Sequence, residues 1–144
     1  MNHFFNDVCI RVQKGGRMNE IRNGLLYSSS HEWVQKQGDD TVVVGITDHA
    51  QHEVGEVVFV EVPEEGKELN AGDELGALES VKTVEMITSP VSGKVIRSNA
   101  ELGDFPDIVN SSPYDDGWIA VIRLKDVSEL GKLMDAEAYG KFIG

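Results

Sequence analysis

The chain has 144 residues, of which 40% are hydrophobic and 26% are charged, a length and composition typical of one globular domain. Its formal net charge of −12 argues against nucleic acid and anionic membranes as partners, because phosphate binding needs clustered Lys and Arg. The single cysteine, Cys9, excludes an intrachain disulfide framework and a thiolate metal cluster. The sequence also lacks a run of about eighteen apolar residues, so we predict no membrane-spanning helix.

Residues 1–24 differ from the rest of the chain in charge. Up to position 17 the charged residues are Arg11, Lys14, Arg17 and one acid, Asp7. Met18 also begins a repeat of the opening Met-Asn pair, so we predict that residues 1–24 are an extension outside the core and that residues 25–144 form the domain. In that case Met18 is an alternative start, and we expect a cytoplasmic protein of a bacterium. The alternative is a mitochondrial targeting segment over residues 1–17, although this segment is poor in serine and lacks a clear amphipathic repeat.

From Ser30 onward the pattern is that of short β-strands. Apolar and β-branched runs alternate with Gly, Pro and Asp-rich turns, which is typical of a sandwich or barrel. The predicted strands are 31–37, 41–46, 57–62, 74–79, 84–87, 95–98 and 118–124.

Helix signals are fewer and lie between or after the strands. Asp48 with Gln51 predicts a capped helix that Gly55 ends, and Asp126 with Glu129 predicts a capping box. The predicted helical segments are 48–55, 106–109, 126–134 and 135–143.

Lys82 lies between two of the predicted strands, so we predict a hairpin that presents its amine at the turn. A lysine held there is accessible to an acylating enzyme, and its long flexible stem would make the acyl group a swinging arm. The alternative is an ordinary solvated turn lysine, as most exposed lysines are. Glu79 and Glu85 flank Lys82, either as solvated strand residues or as residues that an attaching enzyme recognises.

Other candidate chemistry is weaker. His49 and His52 lie three apart on a predicted helix, with His31, Glu32 and Glu53 as candidate neighbours. A tetrahedral metal site needs more ligands than this spacing places together, so we interpret both histidines as surface residues and predict no metal site. No Ser-His-Asp order, nucleophile elbow or phosphate-binding glycine loop stands out, so we predict no catalytic residues.

Many blocks of this sequence, in order, carry a resemblance to one family. They are Ser30-His31-Glu32-Trp33-Val34, Gly45-Ile46-Thr47-Asp48-His49-Ala50-Gln51, Gly55-Glu56-Val57-Val58-Phe59-Val60-Glu61-Val62-Pro63, Glu79-Ser80-Val81-Lys82, Ser89-Pro90-Val91-Ser92-Gly93, Val109-Asn110-Ser111-Ser112-Pro113-Tyr114, Asp116-Gly117-Trp118 and Asp135-Ala136-Glu137-Ala138-Tyr139. Over about residues 27–144 the chain resembles the glycine cleavage system H protein.

The resemblance implies a mainly β, barrel-sandwich hybrid fold like that of lipoyl and biotinyl domains, with short helices and a C-terminal helix. It implies that Lys82 bears lipoate covalently, on a carrier of glycine catabolism and one-carbon metabolism that is not an enzyme. In this family the arm takes an aminomethyl group from glycine at glycine decarboxylase and delivers it to a tetrahydrofolate-dependent aminomethyltransferase. Dihydrolipoamide dehydrogenase then reoxidises the dithiol, and lipoyl-attaching enzymes install the arm. The loaded arm is stowed in a cleft, where Ser30 and Glu32 match positions that contact its amine; we also expect a monomer.

One position departs from the family pattern. Four residues after the lysine, where close family members carry an acid, this chain has Met86. Glu85 is adjacent, but successive strand residues point to opposite faces, so we expect one partner of the aminomethyl amine to be missing. The change weakens the case for full glycine-cleavage activity and leaves lipoylation untouched.

Three other functions compete with the leading interpretation. The first is a lipoyl carrier or donor for other lipoate-dependent enzymes or a separate redox system. The second is a biotin carrier, whose lysine is usually flanked by methionines, whereas here Val81 and Thr83 flank it. The third is a noncovalent β-sandwich interaction module in which Lys82 is unmodified.

Overall fold

The computed structural model describes residues 9–14 and 17–144, with side chains from Asn19 onward. The strands are β1 (Cys9–Lys14), β2 (Arg17–Arg22), β3 (Leu26–Tyr27), β4 (Glu32–Lys36), β5 (Thr41–Ile46), β6 (Val57–Glu61), β7 (Glu68–Leu69), β8 (Glu74–Ser80), β9 (Val84–Thr88), β10 (Gly93–Ser98) and β11 (Ala120–Leu124). The helices are α1 (Asp48–Val54), α2 (Glu101–Asp104), α3 (Ile108–Ser111), a 3₁₀ helix (Val127–Lys132) and α4 (Ala136–Ile143). None of these helices is both long and apolar enough to cross a membrane.

The strands form antiparallel sheets, which confirms the prediction of a mainly β fold. The larger sheet has the order β3-β4-β5-β11-β10-β7, and the smaller has the order β6-β8-β9. Apolar side chains of both sheets share one core, with Val44 and Ile122 from the larger sheet and Leu78 and Ile87 from the smaller. A second cluster, rich in aromatic residues, packs around α4 and includes Tyr27, Trp33 and Tyr139.

Most predicted elements are present, but two helix starts differ in their chemistry. The side chain of Thr47, not that of Asp48, caps α1 by accepting the Ala50 N–H at 3.1 Å. The Asp48 carboxylate instead accepts from the backbone of Glu20 and the side chain of Gln51. The prediction that Asp48 caps α1 was therefore wrong, because its carboxylate accepts a hydrogen bond from the distant backbone N–H of Glu20.

The segment after Asp126 is a short 3₁₀ helix, Val127–Lys132, where a helix running to Met134 was predicted. Asp126 caps it as predicted, by accepting the Ser128 N–H. Glu129 does not complete a capping box, because its carboxylate accepts from the backbone and side chain of Ser92. Strands β3 and β7 were not predicted, since two residues are too few to show a period.

Residues before Leu25 contain a hairpin that the sequence patterns did not predict. Strands β1 and β2 pair from Cys9 with Arg22 to Lys14 with Arg17, and Ile21 belongs to the second core cluster. The alternative-start and targeting hypotheses concern residues 1–17, of which 1–8 and 15–16 lie outside the described residues. The domain division at residue 25 stays a prediction.

Candidate attachment site and cleft

Lys82 lies in the turn that joins β8 to β9. The Ser80 N–H donates to the Thr83 carbonyl at 2.8 Å, and Ser80 Oγ accepts the N–H groups of Lys82 and Thr83, each at 3.2 Å. Ser80 is buried, whereas Lys82 is exposed and Val81 is 80% exposed. The turn therefore holds the lysine backbone in place and leaves its amine accessible, at the hairpin position that the strand pattern predicts.

The stem of Lys82 lies over Gly55, the residue that ends α1. Gly55 has φ 90°, a backbone conformation that residues with a side chain rarely adopt. A Cβ atom built on Gly55 would lie 3.2 Å from Lys82 Cε and 3.8 Å from its Nζ. Glycine at this position thus provides both the helix end and the space for the lysine stem.

A cleft of about 290 Å³ lies between α1 and β9. Its walls come from four parts of the chain, namely the start of β4, the end of β5, α1 and the β8–β9 hairpin. The lining residues are Ser30, His31, Glu32, Ile46, His49, Ala50, Glu53, Val54, Leu78, Glu85, Met86 and Ile87. Because β9 is an edge strand that pairs, among the described strands, with β8 alone, the cleft runs along the other side of the strand that follows Lys82.

Glu32 is the buried acidic group of this cleft, with 2% of its surface exposed. Its Oε1 accepts from Ser28 Oγ and Ser30 Oγ, each at 2.6 Å, and its Oε2 accepts from Thr88 Oγ1 at 3.4 Å. Burial raises the pKa of Glu32, and the hydroxyl donors oppose this shift because they stabilise the carboxylate. Among the described residues no salt bridge includes Glu32.

The structure brings Ser30 and Glu32 together, and it adds Thr88, which no sequence motif indicated. Ser30 Oγ and Thr88 Oγ1 lie 2.9 Å apart although 58 positions separate them in the chain. Thr88 ends β9, the strand that begins beside Lys82. The hydroxyl and carboxyl oxygens thus form one polar group at the far end of this strand from the lysine.

Glu85 and Met86 both border the cleft, whereas the sequence predicted that Glu85 would point away from the position of Met86. In the β8–β9 pairing Glu85 lies opposite Leu78 and Met86 opposite Ala77, so their side chains do start on opposite faces, as strand alternation requires. The cleft nevertheless reaches both residues, because it opens along the free edge of β9. Glu79 is exposed but does not line the cleft.

The two histidines of α1 have different surroundings. His49 is buried, with its ring centroid 4.5 Å from that of His31, so its interpretation as a surface residue was wrong. His31 Nδ1 lies 2.9 Å from the Tyr139 hydroxyl, which in turn lies 2.8 Å from Thr47 Oγ1. His52 faces away, toward Asn19. No group of three metal-ligating side chains occurs among the described residues.

Asn110 is a further residue that sequence reasoning did not assign to the site. Its Nδ2 donates to Gln51 Oε1 at 2.8 Å and to the Gly55 carbonyl at 2.9 Å. Its Oδ1 accepts the Val57 N–H at 2.9 Å. One side chain therefore connects the end of α1, the glycine beneath the Lys82 stem and the start of β6.

An antiparallel β fold that presents a lysine on a hairpin turn, beside a cleft with a buried carboxyl group, has the architecture of a carrier domain for a covalently attached group. The family model described as glycine cleavage H-protein matches residues 25–144. The chain belongs to the glycine cleavage H-protein family, and it is accordingly a carrier of the glycine cleavage system and not a catalyst.

Individual relatives agree with this assignment. The glycine cleavage system H protein of Teredinibacter turnerae is 53% identical over 126 residues, covering 88% of this chain and 97% of that protein. The protein of the same name from Coprothermobacter proteolyticus is 52% identical over 125 residues, covering 87% and 98%. A crystal structure of the H protein from Mycobacterium marinum superposes with a TM-score of 0.77 at 33% identity, covering 84% of this chain and 97% of that one. The predicted lipoyl-domain type of fold is thereby confirmed.

Proposed function

We propose that Lys82 is the lipoate-bearing residue of this carrier. Support comes from its exposure on a hydrogen-bonded turn and from the Glu79-Ser80-Val81-Lys82 block within the matched range. When bound, lipoate would supply the disulfide that accepts an aminomethyl group. The Lys82 stem and the Ser80 turn would hold the arm at the mouth of the cleft.

The proposal includes the steps by which the carrier is loaded and unloaded. The carrier receives the aminomethyl group of glycine at glycine decarboxylase and delivers it to the tetrahydrofolate-dependent aminomethyltransferase. Dihydrolipoamide dehydrogenase and a lipoyl-attaching enzyme are its other partners. We propose that it acts as a monomer in the bacterial cytoplasm, since the relatives named above are bacterial.

The observation that carries the cleft's role is the buried carboxyl group of Glu32, surrounded by hydroxyl groups. The amine of an aminomethyl adduct is cationic, and a carboxylate is its strongest neutral-pH acceptor in a protein. Glu32 and Ser30 would bind this amine, while the walls exclude the water that decomposes the adduct. A cation beside Glu32 would also favour its charged form, which burial alone disfavours.

Peptide mass mapping of protein purified from its own organism tests the attachment site. We expect a lipoyl amide on the peptide that contains Lys82 and none on other peptides. Lys82→Arg should fold normally and carry nothing, whereas Lys94→Arg, which changes an exposed lysine on β10, should be modified fully. A lipoyl group on Lys94 or Lys67, or an unmodified Lys82 in native protein, would contradict the proposal.

A second function is favoured by Met86, which is 58% exposed and stands at the cleft where family members carry an acid. The chain would then serve as a lipoyl carrier or donor for other enzymes, or for a separate redox system. Loading by glycine decarboxylase separates the two functions. Lipoylated protein that glycine decarboxylase cannot load would favour the second one.

A further inference from the structure

Strand β2 contacts α1 on the side that faces away from the cleft. The Glu20 N–H donates to Asp48 Oδ2 at 2.8 Å, and His52 Nδ1 lies within hydrogen-bonding distance of Asn19 Oδ1, at 2.8 Å. Asn19 is 1% exposed, so this contact is inside the protein. Asp48 and His52 are four apart and therefore share one side of the helix.

The other side of the same helix forms a cleft wall. His49, Ala50, Glu53 and Val54 all line the cleft. A helix of seven residues is too short to be stable by itself. Its position must therefore be set by the elements that contact it, and β2 is one of them.

Tyr114 strengthens the connection between β2 and the start of α1. Its hydroxyl donates to the Glu20 carbonyl at 2.5 Å and accepts the Asp48 N–H at 3.2 Å. One hydroxyl group thus bridges the strand and the first residue of the helix. Ile21, which is buried in the aromatic cluster, anchors the strand beside it.

The residues that make these contacts from the strand side precede residue 25, where the match to the family model begins. We infer that β2 braces α1 from behind, so that residues 19–21 position one wall of the cleft in which the arm is stowed. The inference rests on the proposed function only where it names the arm as the occupant of the cleft. The core shared by the two sheets draws on Leu26 and later residues, whereas Ile21 of the brace belongs to the aromatic cluster.

Hydrogen exchange of the full-length protein, read by mass spectrometry, tests the brace. In Asn19→Ala and in Tyr114→Phe we expect peptides covering residues 47–56 to exchange roughly three- to tenfold faster, as the loss of one hydrogen bond implies. Peptides of β5 and β11 should not change. Arg22→Ala is the control on the same strand: it removes the ion pairs with Glu20 and Asp115 and the cation–π contact with the Tyr114 ring, while the hydrogen bonds to α1 from Glu20, Asn19 and the Tyr114 hydroxyl remain.

A double-mutant cycle decides whether the effect passes through the Asn19–His52 contact. If it does, His52→Ala speeds exchange of residues 47–56 as much as Asn19→Ala, and the double variant is no faster than either single variant. Unchanged exchange in both Asn19→Ala and Tyr114→Phe would overturn the brace. Equally fast exchange of residues 47–56 in Arg22→Ala and Asn19→Ala would also overturn the brace, since the loosening would then not depend on the hydrogen bonds between β2 and α1.

The effect of the brace on the loaded arm is measured separately, by the release of formaldehyde. With aminomethyl-loaded protein, Asn19→Ala should release formaldehyde a few times faster than wild type, and Arg22→Ala should match wild type. Equal release rates in wild type and Asn19→Ala, together with a loosened α1, would overturn the positioning role. If Lys82 proves to be unmodified, the proposed function fails, while the exchange experiment still decides the brace.

Discussion

The two walls of the cleft are held in different ways. Helix α1 is fixed at its start by Thr47 and Asp48 and at its end by Asn110. Within the part of the chain that the structure describes, strand β9 pairs with β8 alone, and its side chains Val84 and Met86 are 65% and 58% exposed. The wall that follows Lys82 is thus the open one, and the wall opposite is the anchored one.

This difference suits a carrier. A lysine on an open edge can reach the active sites of other proteins, whereas the opposite wall must keep its shape if a cargo is to find the same acceptors each time. Changes to the anchors of α1 should therefore affect stability more than changes on β9. The following predictions test this comparison, from the largest expected effect on stability to the smallest.

Asn110→Ala should destabilise the protein by about 2–3 kcal/mol, because it leaves the Val57 N–H and the Gly55 carbonyl without their partner. Urea unfolding measures the change. Ser111→Ala is the control, since its hydroxyl makes one exposed contact with the Asp107 carbonyl and should change stability by at most about 0.5 kcal/mol. Equal stability of the two variants would show that α1 is not anchored through Asn110.

Gly55→Ala should cost about 1–2 kcal/mol through backbone strain at positive φ, and its Cβ should displace the Lys82 stem. Lipoylation by a lipoate–protein ligase should slow as a result. Gly72→Ala provides the control, because Gly72 has φ 94° but open space where its Cβ would lie. If both variants are lipoylated at the wild-type rate, the position of the stem over Gly55 has no role in modification.

Glu32→Gln should raise the stability of the protein at neutral pH, by less than the losses expected for Asn110→Ala and Gly55→Ala. Burial raises the pKa of Glu32 in the folded state, so its neutral form contributes stability that is present below its ordinary pKa and lost as pH rises through the raised value. The variant should match wild type in acid and exceed it at neutral pH, measured by thermal unfolding across pH. Glu79→Gln, which removes an exposed charge, should not reproduce this pH dependence. A wild type more stable than Glu32→Gln at neutral pH would mean that the carboxylate is already compensated.

Met86→Asp, on the open wall, should change stability by at most about 0.5 kcal/mol because the side chain is largely exposed. It should nevertheless slow decay of the aminomethyl adduct by at most roughly tenfold, since a charge-assisted hydrogen bond to the amine is added and solvent weakens it. Met86→Asn is matched in size to the aspartate variant without its charge. Glu32→Ala should speed the decay.

The rates of formaldehyde release in these variants separate two accounts of the cleft. If Met86→Asp behaves like Met86→Asn while Glu32→Ala is severe, Glu32 alone holds the amine and Met86 is a neutral departure. If none of the three changes the decay, the cleft does not protect the adduct.

Local patterns were sufficient for much of the fold. The β-branched run Thr41–Ile46 is a strand with the predicted bounds, and Asp135 caps the last helix by accepting the Ala138 N–H. Both depend on residues close together in sequence. The pairing of β1 with β2 was not predicted, because residues 1–24 differ from the rest of the chain in charge and this difference indicated an extension outside the core.

The residues of the site also fall into those that the sequence indicated and those that it did not. Lys82 could be found from the two strands around it, and Ser30 and Glu32 from the resemblance of whole blocks to a family. Thr88 and Asn110 could not, since Thr88 meets Ser30 across 58 positions and Asn110 meets Gln51 across 59. A single sequence contains no signal for such pairs, because Thr88 alone is an ordinary strand residue and Asn110 alone is an ordinary helix residue.

The sequence by itself therefore determined the fold class, the hairpin lysine and the family, all of which follow from local periodicity, turn residues and ordered motifs. The tertiary structure alone decided that Glu85 borders the cleft with Met86, that Gly55 lies beneath the lysine stem, and that β2 supports α1. The physical reason is that these features arise where distant segments meet, at a free strand edge and behind a short helix. Such positions are selected by the packing of the whole chain, and no local preference encodes them.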